Sequence, residues 1–164
     1  MSVVLDIVRT YRAPREVQAR RMAGAPREDR ALAVLLGACA LIYVAQLPRF
    51  ARESHLDVEK DLNALLAGGL FGWLMMMPLV FYVLSILVTL VLKVLGQNVT
   101  GFTCRMAMFW ALFASTPVWL LAGLLAGFAP GPGFTIVSTM AFVTVLVFAG
   151  AGLITAKTAH EGSL

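Results

Sequence analysis

Residues 64–92 read ALLAGGLFGWLMMMPLVFYVLSILVTLVL, 29 positions without a charged side chain. As an α-helix this run is about 43 Å long, well beyond the ~30 Å hydrocarbon core of a bilayer. The expectation is a single tilted membrane span with an end protruding and a kink at Pro78, whose ring removes a hydrogen-bond donor from the helix. A re-entrant pair of half-helices meeting near Pro78 is the competing reading, although no polar turn residues lie there to help the break.

Three further apolar stretches lie at about residues 31–48, 105–128 and 134–156, uncharged apart from Arg105 at the edge of the second. Across the chain, 60% of residues are hydrophobic and 13% are charged, with a mean hydropathy of +0.85. Soluble domains carry about 25% charged residues, and a domain of 164 residues exposes too much surface to hide the excess. The expected fold is therefore all-α: a polytopic membrane helix bundle of four transmembrane helices, preceded by a short amphipathic interfacial helix. Residues 1–30 form a basic cytoplasmic leader, and residues 31–164 form the bundle. Pro48 is expected to close the first span, and Arg49 to Asp61 to be a solvated loop. Lys93 to Arg105 and the uncharged Ala129–Gly133 segment supply the other turns.

The leader is too charged for a cleavable signal peptide. It holds seven of the thirteen basic residues, Arg9, Arg12, Arg15, Arg20, Arg21, Arg27 and Arg30. On a helix over residues 2–12, Val3, Val4, Ile7, Val8 and Tyr11 share one face, with Asp6, Arg9 and Arg12 on the other, and Pro14 stops it. A second short helix fits Arg15 to Met22, punctuated by Gly24 and Pro26. Beside apolar spans, such a cluster suits anionic lipid rather than nucleic acid, and Arg9, Arg12, Arg15, Arg20 and Arg21 are the candidate contacts. With the amino end inside, ten basic residues fall on the cytoplasmic side and three (Arg49, Arg52, Lys60) on the other. This bias sets both termini in the cytoplasm, and the inner membrane as the location.

No nucleophile–base constellation, metal-ligand cluster or phosphate-cradling glycine loop is present, so the expectation is a protein without catalytic residues, metal or cofactor. His55 and His160 read as solvated, and Asp57, Glu59 and Asp61 as a loop. Met75–Met77 point about 100° apart on a helix and so read as packing or lipid contact. Cys39 and Cys104 read as buried small residues, and Asn98-Val99-Thr100 as a chance sequon on the cytoplasmic side. The pairs Gly68/Gly72 and Gly123/Gly127, and the small residues from Ala149 to Gly152, are candidate helix-packing sites. Pro78 and Pro117 are candidate kinks, with Ser115 and Thr116 able to bond back to helix carbonyls near the second. The spans carry no ionisable residue of the kind that coupled transport requires.

Tyr11-Arg12-Ala13-Pro14-Arg15, Arg27-Glu28-Asp29-Arg30-Ala31-Leu32, Phe109-Trp110-Ala111-Leu112 with Thr116-Pro117, and the Gly123–Gly133 stretch together resemble the small bacterial proteins grouped with the Yip (Ypt/Rab-interacting) membrane family. The resemblance implies an all-helical bundle with a non-enzymatic role in membrane organisation. Eukaryotic relatives engage small GTPases through a cytoplasmic amino-terminal region, and their spans are usually given as five. The thirty-residue leader and four spans here weigh against a GTPase partner. The expected function is a membrane scaffold, adaptor or accessory subunit that binds anionic lipid and another integral membrane protein. The alternative is an oligomeric small-molecule facilitator or channel, with Ser85, Thr89, Ser138, Thr139 and Thr144 as the material for a polar strip.

Overall fold

A computed structural model describes residues 3–23, 27–97 and 99–161, with side chains described as far as residue 157. Gly24, Pro26, Asn98 and the His160 side chain lie outside the described residues. The elements are α1 (Val3–Arg12), α2 (Pro14–Met22), α3 (Glu28–Leu56), α4 (Leu62–Phe71), a π-helical turn (Gly72–Met76), α5 (Met77–Val94), α6 (Gly101–Ala114), α7 (Thr116–Phe128) and α8 (Pro132–Glu161). Among the described residues the chain is helix and turn only. Three helices are long and apolar enough to cross a membrane: 28–56, 62–94 and 132–157. The bent pair α6–α7 makes a fourth if it is taken as one span.

The long apolar segment is continuous helix from Leu62 to Val94, which favours the single-helix reading over two half-helices. At 33 residues it is about 50 Å long. A π turn just before Pro78 accommodates the proline: the Met77 N–H bonds to the Gly72 carbonyl, five residues back. The widened turn gives the ring room without a break.

Pro48 does not end the first long helix, contrary to the sequence reading. α3 runs through it to Leu56, so the loop shrinks to Asp57–Asp61. Proline frees one carbonyl without forbidding the helix where neighbours pack around it. Here α7 lies against Pro48: a Cβ at Gly127 would fall 2.9 Å from the Pro48 carbonyl carbon. Asp61 then caps α4, its carboxylate accepting from the Asn63 and Ala64 amides. Pro117 lies in the first turn of α7, which meets α6 at 42°. Ser115 donates to the Leu112 carbonyl at 2.7 Å and Thr116 to that of Phe113 at 2.8 Å. The Thr116 hydroxyl thus serves the carbonyl that the missing Pro117 N–H leaves without its helical donor.

Surface and core are inverted relative to a soluble protein. On α5, Ser85 and Thr89 are buried, whereas Leu79, Val83, Ile86, Leu87 and Leu90 are more than half exposed. Small hydroxyl residues inside and large aliphatics outside are what a helix needs when its solvent is hydrocarbon. Cys39 and Cys104 are free and buried. The core is built on Phe109 and Trp110 of α6, fully buried with Leu35 and Ile42 of α3.

Of the predicted packing glycines, Gly123 and Gly127 do bring helices together. A Cβ at Gly123 would strike the Ala45 backbone of α3, 2.6 Å from its carbonyl carbon. Gly68 and Gly72 face open space, and the close approach in α4 belongs to Gly69, where a Cβ would lie 2.6 Å from the Phe50 ring. Gly123→Ala is expected to destabilise the α3–α7 pair by about 1–3 kcal/mol, because rigid backbone blocks the new methyl. Gly72→Ala is expected to stay within about 0.5 kcal/mol of the parent or slightly above it. Unfolding in mixed anionic–neutral micelles, followed by far-UV circular dichroism, separates the two.

Candidate functional site

The charged residues of the amino-terminal hairpin α1–α2 do not all point outward. α1 is a helix over Val3–Arg12, but Asp6 and Thr10 turn toward the bundle while Arg9 and Arg12 stay exposed. Asp6 and Thr10 are buried, while Val3, Val4, Leu5, Val8 and Tyr11 are exposed. The Asp6 carboxylate is gripped from α2 by Arg21, at 2.7 Å, and by Arg20. The Arg21 guanidinium lies flat over Trp110 of α6, 3.5 Å from the ring centre, so the indole face supplies part of the environment that water would otherwise provide.

A chain of hydrogen bonds runs beneath the ion pair. The Trp110 indole N–H donates to the Thr10 hydroxyl at 3.1 Å, and Thr10 donates to the Asp6 carbonyl at 2.7 Å. At the other flank Gln18, fully buried, donates to the Phe148 carbonyl of α8 at 2.6 Å, and Tyr11 meets the Phe148 ring edge-on at 5.1 Å. Gly152 makes this approach possible, because a Cβ there would occupy the space of the Gln18 side chain. The hairpin is therefore fastened to α6 and α8 by side-chain bonds and rings as well as by aliphatic contact.

Under the hairpin is an open cavity of about 550 Å³. It is lined by Asp6 of α1, Arg20 and Arg21 of α2, Arg30, Ala33 and Val34 of α3, and Trp110 and Phe113 of α6. Three guanidiniums and one carboxylate leave the cavity with a net charge of +2. Arg30 forms no ion pair among the described residues, and the buried Nε of Arg21 has no hydrogen-bond partner there. Burial pushes the Asp6 carboxyl up, but hydrogen bonds and charge from Arg20 and Arg21 outweigh it and hold the group below the ordinary carboxylate range. Burial pulls the Arg21 guanidinium down, opposed by Asp6, and arginine stays charged at any ordinary pH.

The expected lipid-contacting arginines thus divide. Arg9, Arg12 and Arg15 are on the exposed side of the hairpin, whereas Arg21 is buried and Arg20 is half-engaged with it on Asp6. The sequence reading missed Asp6, Thr10, Gln18, Trp110 and Arg30 as members of one site. The available signal was the i, i+4 spacing of Asp6 and Thr10, which puts both on one helical face. Elsewhere, Arg105 at the start of α6 pairs with Glu28 at the start of α3, which fixes these two helix starts at one end of the bundle. Among the described residues no group of three His, Cys, Asp or Glu could hold a metal ion. The hydroxyls of Ser85, Thr89, Thr139 and Thr144 all donate to carbonyls of their own helices. No known family model, curated protein or solved structure matches the chain.

Removing one partner from a buried pair costs about 3–5 kcal/mol, because the other charge is left unpaired. Asp6→Asn should therefore release the hairpin and expose its arginines to trypsin. The double variant Asp6→Leu/Arg21→Met should restore most of the protection. Limited proteolysis of the detergent-solubilised protein reads both. The same bond sets a pH dependence. Because the folded Asp6 lies below its unfolded value of about 3.9, its contribution is complete above that value and is lost as pH falls through the lower, folded one. Tryptic protection, with pepsin in place of trypsin in acid, should be flat from pH 7 to 5 and fall below pH 4.

Proposed function

We infer that this chain is a non-enzymatic integral membrane scaffold or adaptor, anchored by four spans, whose amino-terminal hairpin lies in the cytoplasmic leaflet and binds anionic lipid. The observation that carries the reading is the inside-out hairpin: Asp6 and Thr10 are turned into the bundle while Val4, Leu5 and Val8 are exposed. Such a helix is stable at an interface where its outer residues meet acyl chains, and costly in water. Arg9, Arg12 and Arg15 on the same hairpin can reach phosphates, each contributing about 1 kcal/mol next to anionic lipid.

The orientation with both termini in the cytoplasm rests on the basic-residue bias, and the Arg105–Glu28 pair supports it by holding the starts of α3 and α6 at the same end. The Yip-type resemblance supports a role in membrane organisation. The exposed aliphatic faces of α5 and α8, with open space at Gly68 and Gly72, are surface that a partner helix could cover.

The test is recovery of the full chain from its own membrane in native nanodiscs, with mass spectrometry of co-purifying proteins and lipids. A stoichiometric membrane partner together with enriched anionic lipid is expected. Arg9→Gln/Arg12→Gln/Arg15→Gln should reduce that enrichment by roughly tenfold or more. Recovery of the chain alone, with lipid in bulk proportions, would sink the adaptor reading.

A further inference from the structure

The cavity under the hairpin is a separate feature from the hairpin's outer arginines, and its chemistry is asymmetric. Its basic lining has more positive charge than Asp6 can neutralise, and that surplus resides in named atoms. Arg30 is exposed and has no ion-pair partner among the described residues, and Arg21, whose side chain is 8% exposed, gives a terminal nitrogen to Asp6. Arg20 spends one of its nitrogens on Asp6 and stays 42% exposed. The guanidinium donors of Arg20 and Arg30 that Asp6 does not engage are the ones a ligand oxygen can accept from.

The rest of the lining, Ala33, Val34, Trp110 and Phe113, is apolar or aromatic. Phe113 lies twelve residues beyond Gly101, so the cavity reaches roughly 18 Å along α6 from its start. A cavity of 550 Å³ falls in the usual range for small-molecule sites, about 300–1,000 Å³. A free anion would use only the basic residues. A zwitterionic or neutral lipid would leave the charge surplus standing.

We propose that this cavity binds the phosphate group of an anionic membrane lipid, the phosphate held by Arg20, Arg21 and Arg30 and the chain running along Val34 and Phe113. Planar guanidiniums suit phosphate because each offers two parallel N–H donors. A phosphate monoester, which carries between one and two negative charges near neutral pH, matches the surplus better than a diester does. Asp6 keeps Arg20 and Arg21 in place, so the ligand meets a formed cradle. The assignment rests on the leader being an anionic-lipid-binding element. Partner recovery has no bearing on it, so failure here and failure of the adaptor reading are distinguishable.

The experiment uses the full-length protein in neutral detergent and measures binding of dioctanoyl phosphatidic acid, dioctanoylglycerol and inorganic phosphate by native mass spectrometry and titration of tryptophan emission. One phosphatidic acid per chain is expected, at least tenfold tighter than either other probe. Arg30→Gln, at an exposed side chain, should weaken it by roughly tenfold or more, in line with loss of a charge-assisted hydrogen bond, while leaving the melting temperature unchanged. Ala33→Trp, filling the apolar part of the cavity, should abolish lipid binding, and Arg9→Gln/Arg12→Gln/Arg15→Gln should preserve it. The proposal is overturned by equal retention of dioctanoylglycerol, or by inorganic phosphate binding as tightly as the lipid, which would make this a free-anion site. Unchanged binding in Arg30→Gln alongside loss in the triple variant would reduce the effect to surface adsorption and overturn it equally.

Discussion

The docking of the amino-terminal hairpin depends on a single carboxylate. Asp6 is the acidic residue of α1, and it meets two arginines from α2 with Trp110 of α6 beneath one of them. Without it, the neighbouring Arg20 and Arg21 of α2 would repel each other, and Arg21 could not sit on the indole without leaving a buried cation unpaired. Such a pair adds little net stability compared with aliphatic packing, because desolvation offsets most of the attraction. Its effect is on geometry: only one rotation of α1 about its axis presents Asp6 to both guanidiniums. That rotation also sends Val4, Leu5 and Val8 outward and aligns Thr10 with the Trp110 indole.

The bundle itself is held by close approach rather than by bulk. In hydrocarbon, burying a leucine gains little, so helices associate through surfaces on which backbones can touch. Gly123 and Gly127 let α7 reach the Ala45 and Pro48 backbone of α3, and Gly152 lets α8 receive Gln18 from α2. Hydroxyls on buried faces then bond within their own helices, as Ser85 and Thr89 do. Prolines are tolerated for the same reason: Pro48 is covered by α7, Pro78 is preceded by a π turn, and Pro117 is relieved by Thr116.

Much of this was legible because it depends on local pattern. The apolar runs, the helix at the amino end and the bend near Pro117 with its two back-bonding hydroxyls all follow from neighbours within a few turns; the four-residue spacing of Gly123 and Gly127 is local too, although the helix they approach is not. The failures share a cause. Whether Pro48 ends a helix is decided by α7, almost eighty residues away, and which glycine of α4 makes contact is decided by Phe50. Reading the arginines as one outward-facing set failed likewise, because the Asp6–Arg21 pair, the Trp110 platform and the exposed Arg30 come together only through packing of helices a hundred residues apart in sequence. Amphipathicity identifies two faces of α1, but it does not say which one is turned to the bundle.

That ambiguity bears on function. In water, an apolar stripe turns inward and a charge turns outward; in α1 Val4, Leu5 and Val8 are outside and Asp6 is inside, an arrangement favourable only if the outer side meets lipid and the inner side offers a counter-charge. Asp6 fulfils the second condition and the bilayer the first, so the hairpin is stable in this arrangement only where both hold. A neutral cluster would lock the hairpin equally well, so the surplus of arginine over carboxylate in the cavity, net charge +2, is the feature that the proposed anionic ligand accounts for. On the proposed reading, the outward aliphatics set the hairpin's depth in the leaflet and the inward surplus selects what lies at that depth. The two features would together distinguish lipids by headgroup charge, which apolar spans alone cannot do.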